Sequence, residues 1–375
     1  MTEAVEQLAA LKSPLEETHQ QLGATMDAAS GVPLSYGDLL AEYAAVRESG
    51  AGLIDLSSRG RMLVSGSEAL AFLNGLITND MKTLQENTWM PAAFPNVQGR
   101  LIASVRVLRL ADQTTPTFLI DTEAATHDAV AKNIQRFTLA GDFHVNDITN
   151  ETAHLTIQGY EAQSLMTTAV GNDAASLSAS AAIRMRHERF GDLTVFPSTH
   201  TGADGFDLIV RNDQAAELWQ TLQSHGARPV GHNALEILRI EAGIPRYGID
   251  MDDSNVVSET GLDDAVSFTK GCYVGQEIIA RIKYRGHVAK KLSGLLCGPA
   301  AGLQKGASIQ ATDGKEIGRV TSVADSPQLG QTIALGYLKY DYLAAGTTVK
   351  IVSSDKSFPA VVTELPFVTQ VSTQN

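Results

Sequence analysis

The run Arg61-Met62-Leu63-Val64-Ser65-Gly66-Ser67-Glu68-Ala69-Leu70-Ala71-Phe72-Leu73-Asn74-Gly75-Leu76-Ile77 decides the fold. Its first four residues, Arg61–Val64, read as a strand. Ser67 then opens a helix whose Leu70, Leu73, Leu76 and Ile77 share one face. Gly75 weakens that helix. Strands follow at Trp89–Phe94, Arg100–Leu110 and Thr117–Ile120. A helix carrying Val130, Ile134 and Phe137 comes next, and a strand at Phe143–Ile148 closes the unit. The order β-α-β-β-β-α-β is close to a ferredoxin-like arrangement.

The same order recurs downstream. A strand at His154–Ile157 leads to a helix from about Glu161 to Val170. Strands at Ile183–His187, Leu193–Phe196 and Phe206–Val210 precede a helix holding Ala216, Trp219 and Leu222. Corresponding helices lie roughly 90 residues apart, which reads as an internal duplication. A further helix, His232–Glu241, stops at Gly243 and Pro245. From Ala289 short apolar runs take over, at Leu292–Cys297, Ile317–Val323, Thr332–Leu338, Thr347–Val352 and Phe358–Val362. Gly, Pro, Asp and Ser separate them, which is the pattern of a small all-β barrel or sandwich. Residues 1–34 are polar, with weak helical spacing in Val5, Leu8, Leu11 and Leu15, and end in the breaker cluster Ser30-Gly31-Val32-Pro33. The expected fold is therefore α+β. An N-terminal arm (1–34) precedes two duplicated lobes (about 58–150 and 151–245) and a barrel (289–375).

Composition bounds the function. The chain has 375 residues, enough for two or three domains with real cores. Hydrophobic residues make up 43% and charged ones 19%, as in a globular protein. A net charge of −13 argues against a general nucleic-acid or anionic-membrane surface. With two cysteines, Cys272 and Cys297, an all-cysteine tetrahedral metal site within one chain is impossible. No apolar run reaches the length of a membrane span. The acidic N-terminal region, with Glu3, Glu6, Glu16 and Glu17, is unlike a secretory or transit signal, so a cytoplasmic monomer is expected.

The stretch Lys270-Gly271-Cys272-Tyr273-Val274-Gly275-Gln276-Glu277 draws attention for chemistry. Two glycines leave the backbone around Cys272 free. Gln276 to Ile282 reads as a short helix, so Cys272 precedes a helix N-terminus, a setting that favours an anion. Lys270, Arg281, Lys283, Arg285 and His287 add positive charge. Such a setting lowers a thiol pKa. A small buried cysteine in a glycine turn is the other reading. Cys297 falls in a predicted barrel strand and reads as structural. His187, His200 and His225 lack metal-ligand spacing and read as surface or turn residues.

Lys-Gly-Cys-Tyr-x-Gly-Gln-Glu, followed by Ala280-Arg281 and Tyr284-Arg285-Gly286, resembles the signature of the YgfZ proteins. These are folate-binding iron–sulfur cluster maturation or repair factors, and are paralogues of the glycine-cleavage T-protein. Glu42-Tyr43-Ala44-Ala45-Val46-Arg47, Thr78-Asn79-Asp80 and Gly243-Ile244-Pro245-Arg246-Tyr247-Gly248-Ile249-Asp250 resemble segments of the wider T-protein superfamily. The resemblance runs from about residue 35 to the end. It implies that residues 35–288 form a T-protein-like folate-binding region around a central cavity, with the signature segment at 262–288. It implies tetrahydrofolate or another reduced folate as cofactor, and iron–sulfur client proteins or the assembly machinery as partners. Cys272 and Lys270 are the catalytic candidates. Asn96, Gln98, Arg239, Tyr247, Arg281, Tyr284 and Arg285 are the cofactor-binding candidates. For Arg239 a structural salt bridge to Glu236 is the competing role.

Two departures shape the functional reading. The T-protein pattern Asn-x-x-Gly-Gly-x-x-Asp-Asp matches Asn96-Val97-Gln98-Gly99-Arg100-Leu101-Ile102-Ala103-Ser104, so Ala103 and Ser104 stand where carboxylates support one-carbon transfer. The T-protein Tyr-Thr-Gly-Glu-Asp-Gly matches His200-Thr201-Gly202-Ala203-Asp204-Gly205, and Ala203 replaces a pterin-binding glutamate that Asp204 or Asp207 would have to substitute. On these grounds the expectation is a factor for iron–sulfur cluster assembly or repair. The rival is a tetrahydrofolate-dependent aminomethyltransferase or demethylase.

Overall fold

The computed structural model describes residues 12–111, 114–136, 141–300, 302–353 and 356–369. Phe137 and the first three apolar positions of the arm, Val5, Leu8 and Leu11, lie outside them. The described residues open with α1 (Glu16–Gln21) and a small hairpin, β1 (Thr25–Met26) and β2 (Pro33–Ser35). The described part of the N-terminal arm is docked: Leu15 and His19 have no exposed area. The His19 ring bonds Asp55 at 2.9 Å on one side and the Tyr36 hydroxyl at 2.9 Å on the other. Helix α2 (Leu39–Arg47) starts at Asp38, whose side chain accepts from the Ala41 amide, a normal N-cap. Strand β3 (Gly52–Asp55) follows.

Lobe 1 contains β4 (Gly60–Ser65), α3 (Ala69–Leu76), β5 (Thr88–Pro95), β6 (Leu101–Leu110), β7 (Thr117–Thr122), α4 (His127–Gln135) and β8 (His144–Asp147). Lobe 2 contains β9 (Thr152–Gln158), α5 (Ala162–Ala169), the short α6 (Asn172–Ala175), β10 (Ile183–His187), β11 (Gly191–Pro197), β12 (Gly205–Arg211), α7 (Asn212–Ser224) and β13 (Arg228–Pro229). The sheet orders are β5-β6-β7-β4-β8 and β10-β11-β12-β9-β3-β13. These are the same order with one insertion: β3, from upstream of both lobes, wedges between β9 and the closing strand β13. It pairs antiparallel to β9 and parallel to β13. The sequence reading missed this strand. Gly52 is required there, because a Cβ would lie 2.4 Å from Val46 and 2.9 Å from Val230.

Helices cover one face of each sheet. In α7, Ala215, Leu218, Trp219 and Leu222 are buried at the spacing of one helical stripe. Helix α8 (His232–Glu241) has the predicted bounds, and Gly243 follows at φ 69°. A long loop leads to α9 (Gln276–Arg285). The C-terminal strands β14 (Lys290–Gly298), β15 (Ser308–Gln310), β16 (Glu316–Ser326), β17 (Gln331–Lys339), β18 (Thr348–Ser353) and β19 (Lys356–Thr363) close into a barrel. Only β15 is absent from the predicted set. The barrel sits on α8, where Ile240 packs with Leu292, Ile333 and Leu335. No helix among the described residues is long and apolar enough to cross a membrane.

Candidate active site

Strand alternation aims the site. Ala103, Val105 and Val107 of β6 enter the helix-covered core of lobe 1, while Leu108 and Leu110 enter a separate cluster with Phe196 and Ile209 of lobe 2. Ser104 and Arg106 share the second face. Lobe 2 is built the same way. Leu155, Ile157, Leu208 and Val210 fill its own core, and His154, Asp207 and Ile209 turn toward lobe 1. The two sheets therefore meet face to face. One end of the contact is apolar and the other is charged.

Arg106 joins the lobes at the charged end. Its Nε donates to Asp121 of β7 at 2.7 Å, and its Nη1 lies 2.7 Å from Asp207 of β12. Ser198 accepts from the same Nη1. Arg59 grips Asp121 with Nε at 2.9 Å and Nη2 at 2.7 Å, and donates from Nη1 to Glu123 at 2.7 Å. The His154 ring bridges the aspartates, with Nε2 2.9 Å from Asp207 and Nδ1 3.6 Å from Asp121. Nε2 of His200 lies 3.0 Å from Asp207. Both aspartates are fully buried, whereas the Arg59 and Arg106 side chains keep 13% exposure, His200 16% and Glu123 27%. The network thus opens on one side.

The electrostatics follow from that packing. Burial pushes the Asp121 carboxyl up, but Arg106, Arg59 and His154 outweigh it and hold the group well below the usual carboxylate range. Asp207 is held equally low against burial by Arg106, His200 and His154. Burial lowers the His200 pKa, with Asp207 opposing and Arg106 and Arg59 adding to the shift. Burial raises Glu123 as well, yet Arg59 and Arg246 bring it below its ordinary value, and it is ionised.

The sequence reading did not find this group. It read His200 as a surface or turn residue, raised Asp207 only as a stand-in for a pterin-binding glutamate, and did not place the others. The available signal was a charge in the middle of an apolar strand, as in Val105-Arg106-Val107 and Ile120-Asp121-Thr122. Such a residue is buried only with a partner. Asp207, raised as a substitute for the glutamate replaced by Ala203, is spent on Arg106 and the two histidines.

The predicted residues are distributed as follows. Arg239 is buried, and its fork is spent on Glu236, on Asp250 at 2.6 Å and on Ser322 of β16 at 2.7 Å. It ties the barrel to α8, so the folate-contact expectation is corrected to the competing structural role. Lys270 is also corrected. Its ammonium donates to the carbonyls of Asn74, Ile77 and Asn79 at 2.6–2.9 Å and caps the end of α3. Burial lowers its pKa to about 8, with Asp80 opposing. Asn96 spends its side-chain oxygen on the amides of Gln98 and Arg100, a local turn. That turn packs on the start of α9, where a Cβ on Gly275 would lie 2.4 Å from the Asn96 carbonyl. Gln98, Cys272, Arg281, Tyr284 and Arg285 are exposed on and beside α9. Tyr247 packs with Ala93 and Leu101, and Ala93 pairs with Ser104, so it reaches the cleft wall. Cys297 is buried in the barrel as expected. A separate cavity of about 160 Å³, lined by Leu22, Tyr36, Asp38, Glu42, Arg228 and Pro229, shares no residue with the charged network.

Two duplicated lobes, a charged network between them and a closed barrel define the class of this protein. Residues 15–270 match the GCVT N-terminal domain, and residues 290–369 match the glycine cleavage T-protein C-terminal barrel domain. The chain belongs to the glycine-cleavage T-protein family. An aminomethyltransferase of Rubrobacter xylanophilus is 33% identical over 359 residues, covering 95% of this chain and 94% of the relative. An aminomethyltransferase of Shouchella clausii is 32% identical over 367 residues, covering 95% and 97%. The crystal structure of glycine cleavage system aminomethyltransferase T from Bartonella henselae superposes with a TM-score of 0.87 at 24% identity, over 96% of this chain and 98% of that one. Tetrahydrofolate is the folate this family uses. These relatives overturn the iron–sulfur assembly reading and the client partners that went with it. Proteins alike over nearly the whole length are aminomethyltransferases, and the signature around Cys272 covers only a short segment.

Proposed function

We propose that this protein is a tetrahydrofolate-dependent aminomethyltransferase working in the cleft between its lobes. The observation that carries the reading is the charged network set into two otherwise apolar sheet faces at the open end of that cleft. Burying such groups opposes stability unless they are fully paired, and their concentration at one opening fits a site of charge-handling chemistry. The full-length likeness to proteins named aminomethyltransferase supplies the reaction. In that reaction a carbon bonded to a lipoyl sulfur and to an amine becomes bonded to N5 and N10 of tetrahydrofolate. The two protons leaving N5 and N10 end on the sulfur and on the amine, which departs as ammonia. Charge moves on and off nitrogen in each half, so an ionised carboxylate in the cleft assists both. The test is ammonia release from an aminomethyl-lipoyl carrier protein with tetrahydrofolate. Turnover above the folate-free control is expected. A protein that binds tetrahydrofolate but releases no ammonia overturns the reading.

A further inference from the structure

We propose that Glu123 is the carboxylate that meets the transferred carbon and its amine in this protein, taking over from a neighbouring strand. The proposal rests on the aminomethyltransferase reading and names a residue within it. It begins with register. In the β6–β7 ladder Val105 pairs with Thr122 and Arg106 with Asp121. Pairing stops there: the next residues are Ser104 on β6 and Glu123 just past the end of β7, whose backbone is still extended, so alternation puts both on the face of Arg106 and Asp121. Ala103 is fully buried in the lobe 1 core and faces away from the cleft. The cleft-facing member of the pair is Ser104, and the carboxylate beside it is Glu123.

Elimination among the carboxylates of the cleft gives the same residue. Asp121 has both oxygens on Arg59, and one of them on Arg106 as well. Asp207 has both on His200, with His154 and Arg106 on the second. Glu236 has one on Arg239 and the other on Arg239 and Arg246. Glu123 has Oε1 on Arg59, and Oε2 has no partner among the described residues. At 27% exposure it is also the outermost of the three carboxylates tied to Arg59 and Arg106. Arg59 fixes one oxygen and leaves the other free to act. In the first half of the transfer, N5 bonds to the carbon as the carbon–amine bond breaks. Oε2 takes the proton leaving N5 and passes it to the departing amine, so ammonia leaves and the carboxylate is unchanged. In the second half N10 displaces the sulfur, which keeps the N10 proton as a thiol.

The experiment compares the wild-type protein, Glu123→Gln, and Glu123→Gln combined with Ser104→Asp. Steady-state ammonia release is read against pH. In parallel, the resonance of 15N5-labelled tetrahydrofolate bound to each protein is recorded. Glu123→Gln is expected to lower kcat about a hundredfold, to leave the KM for tetrahydrofolate within a few-fold, and to remove the acidic limb of the kcat profile. Ser104→Asp, which moves the carboxylate one strand across, is expected to restore kcat to within tenfold of wild type. The bound resonance is expected to shift between wild type and Glu123→Gln. Wild-type kcat in Glu123→Gln, or an unchanged resonance, overturns the assignment. Wild type that releases no ammonia but shows the Glu123-dependent shift overturns the aminomethyl reading, while supporting Glu123 at the folate.

Discussion

At the scale of single residues, Arg106 is where the lobes are held together. Among the described residues it is the guanidinium that reaches a buried aspartate of each sheet, Asp121 and Asp207. Replacing it with leucine leaves two buried carboxylates short of a counter-charge, which typically costs about 3–5 kcal/mol. Urea unfolding of Arg106→Leu should show a loss of that order, and Arg106→Lys a smaller one, since a lysine keeps the charge but not the fork. Acid should act on the same group in a set order. His200 has a folded pKa below its ordinary value of about 6.5. The unfolded chain therefore takes up this proton first, and stability declines as pH falls below about 6.5. Asp121 and Asp207 are depressed too, so their contribution is complete above about pH 4 and is lost as pH falls through their lower folded values. Thermal midpoints from pH 8 to 3 should fall in these two stages. In Arg106→Leu the second stage should be shallower and end at higher pH, because the folded carboxylates lose a stabilising charge and titrate nearer their unfolded values. A midpoint that ignores pH down to 4 in both proteins would sink this account.

At the scale of elements, the loop before α9 is pinned rather than poised. Lys270 is anchored in the end of α3, and Gly275 adopts a left-handed φ of 76° just ahead of α9. Between them Cys272 is exposed, while Cys297 is buried in β14 and burial pushes its pKa up to about 12. A thiol reagent at neutral pH should therefore modify one cysteine per native chain quickly, and a second only after unfolding. Peptide mapping should place the fast site at Cys272. If Cys297 reacts as fast as Cys272, the barrel packing described here is wrong.

At the scale of the whole molecule, the charged network joins both lobes, and the charge of Arg246 reaches it at Glu123. A ligand held there binds the folded chain and not the unfolded one. Tetrahydrofolate at a hundredfold above its Kd should add about 2.7 kcal/mol, read as a rise in the thermal midpoint. No rise at millimolar tetrahydrofolate would remove the folate from the cleft. What the sequence by itself determined was the order of elements and where they stop. Strand, helix and turn signals are local, so the lobes, helix His232–Glu241 with its Gly243 stop, and five of the six barrel strands were legible. The short strands β3, β13 and β15 were not, because two to four residues carry no period to read. The site was legible only in part. Lys270 and Arg239 proved structural, since a cation in a motif looks the same whether it meets a ligand or a carbonyl. Only the tertiary structure decided that Arg106, Asp121, His154 and Asp207 converge. A charge within an apolar strand announces burial, but its partner lies on another strand, in another lobe. Which strands face each other is settled by long-range packing of two sheets, and no local stretch of the chain encodes it.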